Sequence, residues 1–255
     1  MDNLTEKLVE YIKDSDNIVF FGGAGVSTES GVPDFRSKDG LYNKRDVRFE
    51  KYSPEYLLSH TCLVREPKVF FEFYRQKMDA RKVAPNAAHL FLAELERRGK
   101  LKAVVTQNID GLHQKAGSKN VYEIHGSTLN NYCVDCGKDY PSDFIFESKD
   151  EVPKCPRCGG TVRCDVTLYE ELLPEKAVNN AINAIKNADM LIIGGTSLTV
   201  YPAASYVHYF KGKHLVLINK DRLDYPLRGE NDLQINEPIG KLFSECALSL
   251  GYDLK

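Results

Sequence analysis

Four cysteines in two closely spaced pairs are the residues of this sequence whose chemistry is easiest to name. Each pair has the spacing Cys-x-x-Cys, and 18 residues separate the pairs: the cysteines are Cys133, Cys136, Cys155 and Cys158. Two such turns can present four thiolates to one tetrahedral zinc ion. Four protein ligands leave no open position, so the spacing predicts a structural metal. Four unrelated buried thiols and a redox-active Cys-x-x-Cys pair are the alternatives.

A glycine-containing turn follows a short apolar run and could hold a phosphate group. Residues 18–21 read Ile-Val-Phe-Phe, and residues 23–25 read Gly-Ala-Gly. Closely spaced glycines let backbone amides approach a pyrophosphate. The dehydrogenase fingerprint also requires a third glycine and, about 20 residues later, an acid at the end of a second strand. Position 28 is Thr and residues 44–48 follow no strand, so a conventional nicotinamide dehydrogenase is disfavoured.

Two residues beyond this turn have side chains suited to parts of a dinucleotide. Arg36 can pair with a phosphate as a bidentate fork, and Phe35 can cover a flat ring. A surface arginine and a core phenylalanine are the alternatives when each residue is taken alone.

Polar residues also follow four further apolar runs. They are residues 106–113 (Thr-Gln-Asn-Ile-Asp-Gly-Leu-His), His125 with Gly126, residues 194–198, and Asn219 with Lys220. Ligands bind at the carboxyl ends of the strands in open parallel sheets, so these residues are expected to line one crevice. Helix capping is the alternative for each of them singly.

His125 is the best candidate for a general base among the six histidines. It precedes a glycine at a predicted strand end, and an imidazole with a pKa near 6.5 can accept a proton at neutral pH. The other five are predicted to be surface, packing or capping residues: His60, His89, His113, His208 and His214.

The elements that must position these residues alternate between strand and helix patterns. Apolar runs predict strands at residues 18–21, 101–106, 121–124, 190–193 and 214–218. Helical spacing occurs at the N-terminus and at residues 86–98, 175–187 and 239–250. This alternation predicts an α/β fold with a parallel sheet covered on both faces. Residues 37–82 and 131–164 interrupt the alternation and are predicted to form a smaller second lobe, with a helix over 67–78.

Composition excludes several classes of function. The chain of 255 residues has 34 Lys and Arg against 36 Asp and Glu, a formal charge of −2, which argues against non-specific polyanion binding. The cysteine-rich segment mixes acidic and basic residues, so it does not resemble a nucleic-acid-binding zinc ribbon. No apolar run approaches the roughly 20 residues of a membrane span. The charged N-terminus has no signal-peptide pattern, and we expect a cytoplasmic protein that binds neither membrane nor nucleic acid directly.

Together these motifs resemble those of the sirtuin family of NAD-dependent protein lysine deacylases. The similarity runs through residues 23–36, 106–113, 125–126, the four cysteines, 195–198 and 218–219, in the family's order. It implies a Rossmann-like NAD-binding domain of residues 1–36, 83–130 and 165–255. The small lobe would combine a helical insertion, 37–82, with a zinc-ribbon module, 131–164, that holds one structural Zn²⁺. NAD would lie between the two.

The resemblance also implies contacts with each part of NAD. Ala24, Gly25 and Thr28 would face the pyrophosphate with Arg36 nearby, and Phe35 would shield the nicotinamide. Gln107 and Asn108 would hold the nicotinamide ribose, and Ile109 with Asp110 would form the carboxamide pocket. The phosphate and adenosine end would be contacted by Thr196, Ser197 and Asn219.

The implied reaction consumes NAD as a co-substrate. The oxygen of an acetylated lysine attacks the ribose as nicotinamide leaves, and His125, with Asn108 as a second catalytic residue, serves the steps at the ribose. The products would be deacetylated lysine, nicotinamide and O-acetyl-ADP-ribose. The implied partners are acetylated-lysine proteins or peptides, and a monomer is expected. An NAD glycohydrolase or ADP-ribosyltransferase and a non-catalytic NAD or ADP-ribose sensor remain the alternatives.

Three positions depart from the family's pattern. Residues 166–171 (Val-Thr-Leu-Tyr-Glu-Glu) correspond to a segment that pairs with the substrate peptide in the family. Glu170 stands there where the family commonly has glycine, and its carboxylate predicts a changed peptide preference, toward basic neighbours. Cys164 stands where proline is common and is expected to be an ordinary buried cysteine. Lys77 lies three residues after Tyr74, at a position where family members that favour acidic acyl groups have arginine. Because lysine lacks the bidentate fork, an uncharged acyl group such as acetyl is expected.

Overall fold

The computed structural model describes residues 3–35, 40 and 46–254. These residues contain nine strands: β1 Ile18–Gly22, β2 Leu101–Thr106, β3 Val121–Glu123, β4 Gly126–Cys133, β5 Asp139–Pro141, β6 Val162–Val166, β7 Met190–Gly194, β8 His214–Ile218 and β9 Asp232–Ile235. Six of them form one sheet in the order β3-β2-β1-β7-β8-β9, and every neighbouring pair is parallel. The predicted parallel sheet is confirmed.

Helices cover both faces of this sheet. The described α-helices are α1 Asn3–Asp14, α2 Pro54–Leu57, α3 His60–Arg65, α4 Pro67–Lys77, α5 Ala87–Arg97, α6 Leu112–Lys115, α7 Asp143–Phe146, α8 Glu175–Asn187 and α9 Ile239–Leu250. Helices α1, α5 and α9 share a core with Phe20. Helix α8 and the 3₁₀ helix Ala203–Tyr209 share another with Phe21. Successive residues of a strand point to opposite faces, so two covered faces require the continuous apolar run of β1.

The remaining strands form a three-stranded antiparallel sheet in the order β5-β4-β6. This sheet, with helices α2, α3, α4 and α7, is called the small lobe below. Its buried core joins residues from the two parts of the chain that interrupt the alternation, including Phe70 and Tyr74 from one and Ile145 and Val162 from the other. Because the cysteine-rich segment has too few aliphatic residues to form a core of its own, its buried residues pack with those of the helical segment.

The predicted helix over 67–78 is confirmed as α4, which begins at a proline in its first turn. Helix α5 begins after Asn86, whose side chain accepts a hydrogen bond from the amide of Ala88 at 2.8 Å. The Nδ1 atom of His89 accepts one from the amide of Asn86 at 3.3 Å. His214 is buried and stacks on Tyr11, with ring centroids 3.8 Å apart. The capping and packing roles predicted for these histidines are confirmed.

Strand β9 was not predicted. It is four residues long and reads Asp-Leu-Gln-Ile, so it carries neither an apolar run nor enough alternation to stand out. It pairs with β8 and extends the sheet by one strand. None of the helices in residues 3–35 and 46–254 combines the length and the apolar character that a membrane crossing requires.

Candidate active site

A cavity of about 1590 Å³ opens at the carboxyl ends of the central parallel strands. One wall is formed by the segments that follow β1, β2, β7 and β8, and the facing wall by residues 166–173. Most of the predicted site residues line this cavity: Ala24, Gly25, Thr28, Phe35, Gln107, Asn108, Ile109, His125, Thr196, Ser197 and Asn219. Asp110 is not among the lining residues, and Arg36 lies outside the residues that the structure describes. The strand ends therefore meet in one crevice, as predicted.

The glycine turn after β1 packs closely against the segment after β7. The amides of Gly23 and Gly25 donate to the carbonyls of Gly194, at 3.3 Å, and Gly195, at 2.8 Å. A Cβ atom on Gly25 would lie 2.8 Å from the Cα of Gly195. These glycines let two loops meet at the cavity, and their amides are already engaged. The expectation that their amides face a phosphate must therefore pass to neighbouring residues of the turn.

A buried polar network lies beneath the turn and is centred on Ser27. Its hydroxyl donates to Asp110 Oδ2 at 2.7 Å and accepts from Asn108 Nδ2 at 3.0 Å. Because His89 Nδ1 accepts a hydrogen bond from the backbone, Nε2 carries the ring proton and points to Ser27 Oγ at 3.4 Å. Asp110 also accepts from the amide of Leu112 at 2.9 Å. The network therefore fixes the side-chain amide of Asn108 at the border of the cavity.

Ser27 and His89 were not predicted as site residues. Ser27 lies inside the 23–36 motif, which is the only signal in the sequence for it, while His89 belongs to the histidines predicted as surface, packing or capping residues. Burial raises the pKa of Asp110, and its hydrogen bonds from the Leu112 amide and Ser27 oppose that effect. Asp110 thus acts in this structure through Ser27 and the start of α6.

His125 presents one ring nitrogen to the cavity. Its Nδ1 lies 2.9 Å from the carbonyl oxygen of Gln107. A carbonyl can only accept, so Nδ1 carries the proton and Nε2 keeps a lone pair available for base catalysis. Burial lowers the pKa of His125, and the hydrogen bond to Gln107 partly opposes this. The side chain is therefore suited to act as a neutral base.

Gly126 allows the sheet of the small lobe to begin immediately after His125. Its φ is 72°, and a Cβ atom there would lie 2.0 Å from the carbonyl oxygen of Asp165. Only glycine permits this approach of β4 to β6. The amide of Thr167 donates to the carbonyl of His125 at 2.9 Å. The candidate base is thus tied directly to the wall of residues 166–173.

The four predicted metal ligands meet in the small lobe. The sulfur atoms of Cys133, Cys136, Cys155 and Cys158 all lie within 4.8 Å of one another. Two of their separations are 3.4 and 3.7 Å, too long for a disulfide of about 2.05 Å. Thiolates about 2.3 Å from one tetrahedral ion would be about 3.8 Å apart. The donor set fits zinc, and Cys164, buried in the lobe's core, is outside the group.

Comparison with known proteins decides the family. A sequence model described as the Sir2 family matches residues 23–202. A protein of Clostridium perfringens named NAD-dependent protein deacetylase is 57% identical, over 96% of this chain and 99% of its own length. The chain belongs to the Sir2 family. A second Sir2 relative with the same name, from Clostridium acetobutylicum, is 54% identical over 95% of this chain and 97% of its own.

Solved Sir2 structures share the fold described above. One is a Sir2 variant with a deacetylated p53 peptide and 3′-O-acetyl ADP ribose; it gives a TM-score of 0.86 at 32% identity, covering 98% of this chain and 99% of that one. Another, of Sir2 with a p53 peptide and NAD⁺, gives a TM-score of 0.82 at 32% identity and the same coverage. The predicted membership of the sirtuin family and the Rossmann-like architecture are confirmed.

Proposed function

We propose that this chain removes acetyl groups from lysine side chains of proteins and consumes NAD as a co-substrate. Deacetylated lysine, nicotinamide and O-acetyl-ADP-ribose are the products, and one water molecule is consumed because the original acetyl oxygen stays on the ribose carbon. The observation that carries the proposal is His125 Nε2, available as a base in the cavity between the strand ends and residues 166–173.

Each residue of the cavity has a role in the reaction that follows from its position. NAD supplies the ribose carbon that the acetyl oxygen attacks and the hydroxyl that later receives the acetyl group. His125 Nε2 accepts the proton of that hydroxyl, which makes its oxygen nucleophilic. Asn108, held by Ser27, positions the same ribose together with Gln107. Phe35, which packs against the core of the small lobe, covers the nicotinamide end.

The other parts of NAD have partners along the same sheet edge. Ala24 and Thr28 lie by the pyrophosphate, with Arg36 nearby in the sequence, and Gly25 borders it while its amide donates to Gly195. Ile109 contacts the carboxamide. Asp110 supports the carboxamide pocket, and its own carboxylate is held by a hydrogen bond from Ser27. The residues after β7 and β8 hold the phosphate and adenosine end: Thr196, Ser197 and Asn219.

The small lobe holds one structural Zn²⁺ through its four cysteines. The sulfur separations and the closed donor set support this assignment. Zinc adds no catalytic position, because all four ligands come from the protein. We also propose the division into a Rossmann-like domain (1–36, 83–130 and 165–255), a helical insertion (37–82) and a zinc ribbon (131–164).

The proposed partners are acetylated-lysine proteins or peptides. The formal charge of −2 supports the absence of direct nucleic-acid binding. We further propose that the chain acts as a monomer in the cytoplasm and does not bind membranes.

The deciding experiment measures nicotinamide release by mass spectrometry, with NAD, in the presence and absence of an acetyl-lysine peptide. Release that requires the peptide and yields O-acetyl-ADP-ribose is expected. His125→Ala should abolish the formation of O-acetyl-ADP-ribose, because His125 acts on the ribose hydroxyl after nicotinamide has left. The matched control is His208→Ala, which removes an imidazole outside the cavity. Release without peptide would instead indicate an NAD hydrolase, and bound NAD without release would indicate a sensor.

A further inference from the structure

Residues 166–171 form a wall of the cavity and are attached by their main chain to the helical part of the small lobe. The amide of Tyr169 donates to the carbonyl of Leu58, and its carbonyl accepts from the amide of His60, both at 3.0 Å. These two bonds form an isolated parallel bridge between Ser59 and Tyr169. The conformation of the wall therefore depends on the turn between α2 and α3.

Glu170 has a left-handed backbone conformation within this wall, with φ of 76°. Glycine adopts this conformation freely, whereas a residue with a Cβ atom is disfavoured there. In an extended strand, consecutive side chains point to opposite faces. The left-handed residue breaks that alternation, so the carboxylates of both Glu170 and Glu171 reach the first residues of α3.

The carboxylate of Glu170 is held by one residue of α3. Its Oε2 atom accepts two hydrogen bonds from Thr61, from the amide at 2.9 Å and from the hydroxyl at 2.7 Å. These bonds lower the pKa of Glu170, so the side chain is charged at neutral pH. Thr61 itself is not among the residues that line the cavity.

Glu171 supports the adjacent part of the wall separately. Its two oxygens contact the guanidinium of Arg163, one of them at 3.0 Å, and its Oε1 lies 2.9 Å from His60 Nδ1. It also accepts from the amide of Leu168 at 3.0 Å. The lobe and the wall therefore remain joined without Glu170, so a change at residue 170 can be studied in a folded protein.

We propose that Glu170 is a positioning residue for the peptide substrate, because its two hydrogen bonds from Thr61 hold residues 166–171 in the conformation that binds an acetyl-lysine peptide. The inference rests on the proposed function and deepens it. A wall ordered before binding lowers the conformational entropy that peptide binding must remove. The carboxylate of Glu170, which was expected to change peptide preference, accepts both of these hydrogen bonds from α3.

The test compares steady-state constants for one acetyl-lysine peptide across matched variants. In Glu170→Gly the backbone conformation stays accessible but the tie is lost, so KM for the peptide should rise about tenfold, with kcat within about twofold. The KM for NAD should not change. Glu170→Gln should keep the wild-type KM for the peptide. The two hydrogen bonds from Thr61 both go to the Oε2 atom of Glu170, and the amide oxygen of Gln can accept both.

Thr61→Val tests the tie from outside the cavity. It removes the hydroxyl bond but keeps the amide bond, so the peptide KM should rise by less than in Glu170→Gly. Combined with Glu170→Gly it should add nothing, because both changes remove the same contact. Hydrogen exchange of the unliganded protein gives a readout independent of turnover: the amides of Thr61 and Tyr169 should exchange faster in Glu170→Gly.

Two results would overturn the inference. The first is a wild-type peptide KM in both Glu170→Gly and Thr61→Val. The second is a Glu170→Gln variant as impaired as Glu170→Gly, with the loss set by the charge of the peptide, which would show direct contact with the peptide. Failure of the proposed function looks different, since the wild-type chain would then remove no acetyl group from any peptide.

Discussion

At the residue scale, the hydrogen bond from His125 to Gln107 sets which nitrogen can accept a proton. Nδ1 donates to the carbonyl, which leaves Nε2 as the ring nitrogen that can accept a proton, and His125 lines the cavity. Burial then lowers the pKa, so the ring remains neutral in more acidic solution than an exposed histidine would. A base is active only when neutral, and the lowered pKa extends its active range toward acid.

This lowered pKa predicts the pH dependence of deacetylation. The apparent pKa of the acid limb of kcat/KM for the peptide should lie below the ordinary histidine pKa of about 6.5, because protonated His125 releases its proton at a lower pH than an exposed histidine does. The measurement is a pH profile with NAD saturating, and a peptide whose other groups do not titrate between pH 5 and 8. An acid limb at or above the ordinary value would contradict the assignment.

The environment of Lys77 predicts the acyl preference. Its ammonium lies 3.3 Å from a carboxylate oxygen of Asp46, and the residue does not line the cavity. A carboxylate at the end of the acyl chain would therefore lack a bidentate partner there. An acetyl peptide should react at least about tenfold faster than its succinyl twin in kcat/KM.

A butyryl peptide is the matched control for that comparison, because it has the chain length of succinyl without the charge. Slow reaction of succinyl alone would identify charge as the cause. A succinyl peptide that reacts faster than the acetyl peptide would show that the cavity holds a cation partner in another way.

At the element scale, His125, the proposed general base, lies where two sheets meet. Strand β3 of the parallel sheet ends at Glu123, and β4 of the antiparallel sheet begins at Gly126. The backbone of β6 passes so close to Gly126 that no side chain fits between them. The position of His125 is thus set by the crossing of three strands.

Gly126→Ala should therefore damage both stability and catalysis. A Cβ atom would overlap the Asp165 carbonyl and strain the backbone, so we expect unfolding free energy to fall by more than about 2 kcal/mol and kcat to fall as His125 shifts. Gly99→Ala is the control. Its φ is 75° and nothing lies within 4 Å of the site of its Cβ, so it should lose only about 1–2 kcal/mol and keep kcat. Equal losses in denaturant melts would exclude the strand crossing as the cause.

The sequence predicted the elements better than the contacts between them. Five strands of the parallel sheet, its flanking helices and the four cysteines followed from periodicity and spacing. Contacts between remote residues left no local pattern: Ser27 and Asp110 are 83 positions apart, and Thr61 and Glu170 are 109 apart. The left-handed conformation of Glu170 was also hidden, because glutamate seldom adopts it.

At the scale of the whole molecule, the four-cysteine site and residues 166–171 belong to one structure. Strand β6 begins four residues after Cys158 and leads directly into residues 166–171. The core beneath it contains Phe70 and Tyr74 from the helical segment. Loss of the metal should therefore disturb residues 166–171 and leave the parallel sheet intact.

Metal removal tests that connection. Structural zinc contributes about 10–16 kcal/mol of binding free energy, so a chelator should unfold the small lobe and abolish deacetylation. Zinc content and thermal melting, measured before and after chelation, report the result. Cys133→Ser should behave like the chelated protein, whereas Cys246→Ala, which removes a buried thiol of α9, should keep its zinc. An unchanged melting curve in zinc-free protein would contradict the structural role.

The shared core of the small lobe also bears on how the chain is synthesised. Tyr74 and Val162 pack into one core, and roughly 90 residues separate them, so on the order of ten seconds passes between their emergence from the ribosome. During that interval α4 has no partner strand, and its buried aromatic face is open to chaperones and proteases. Ribosome-bound chains that end before β6 should be cleaved within α4, and longer ones protected. Protection of the shorter chains would show that α4 is buried without β6.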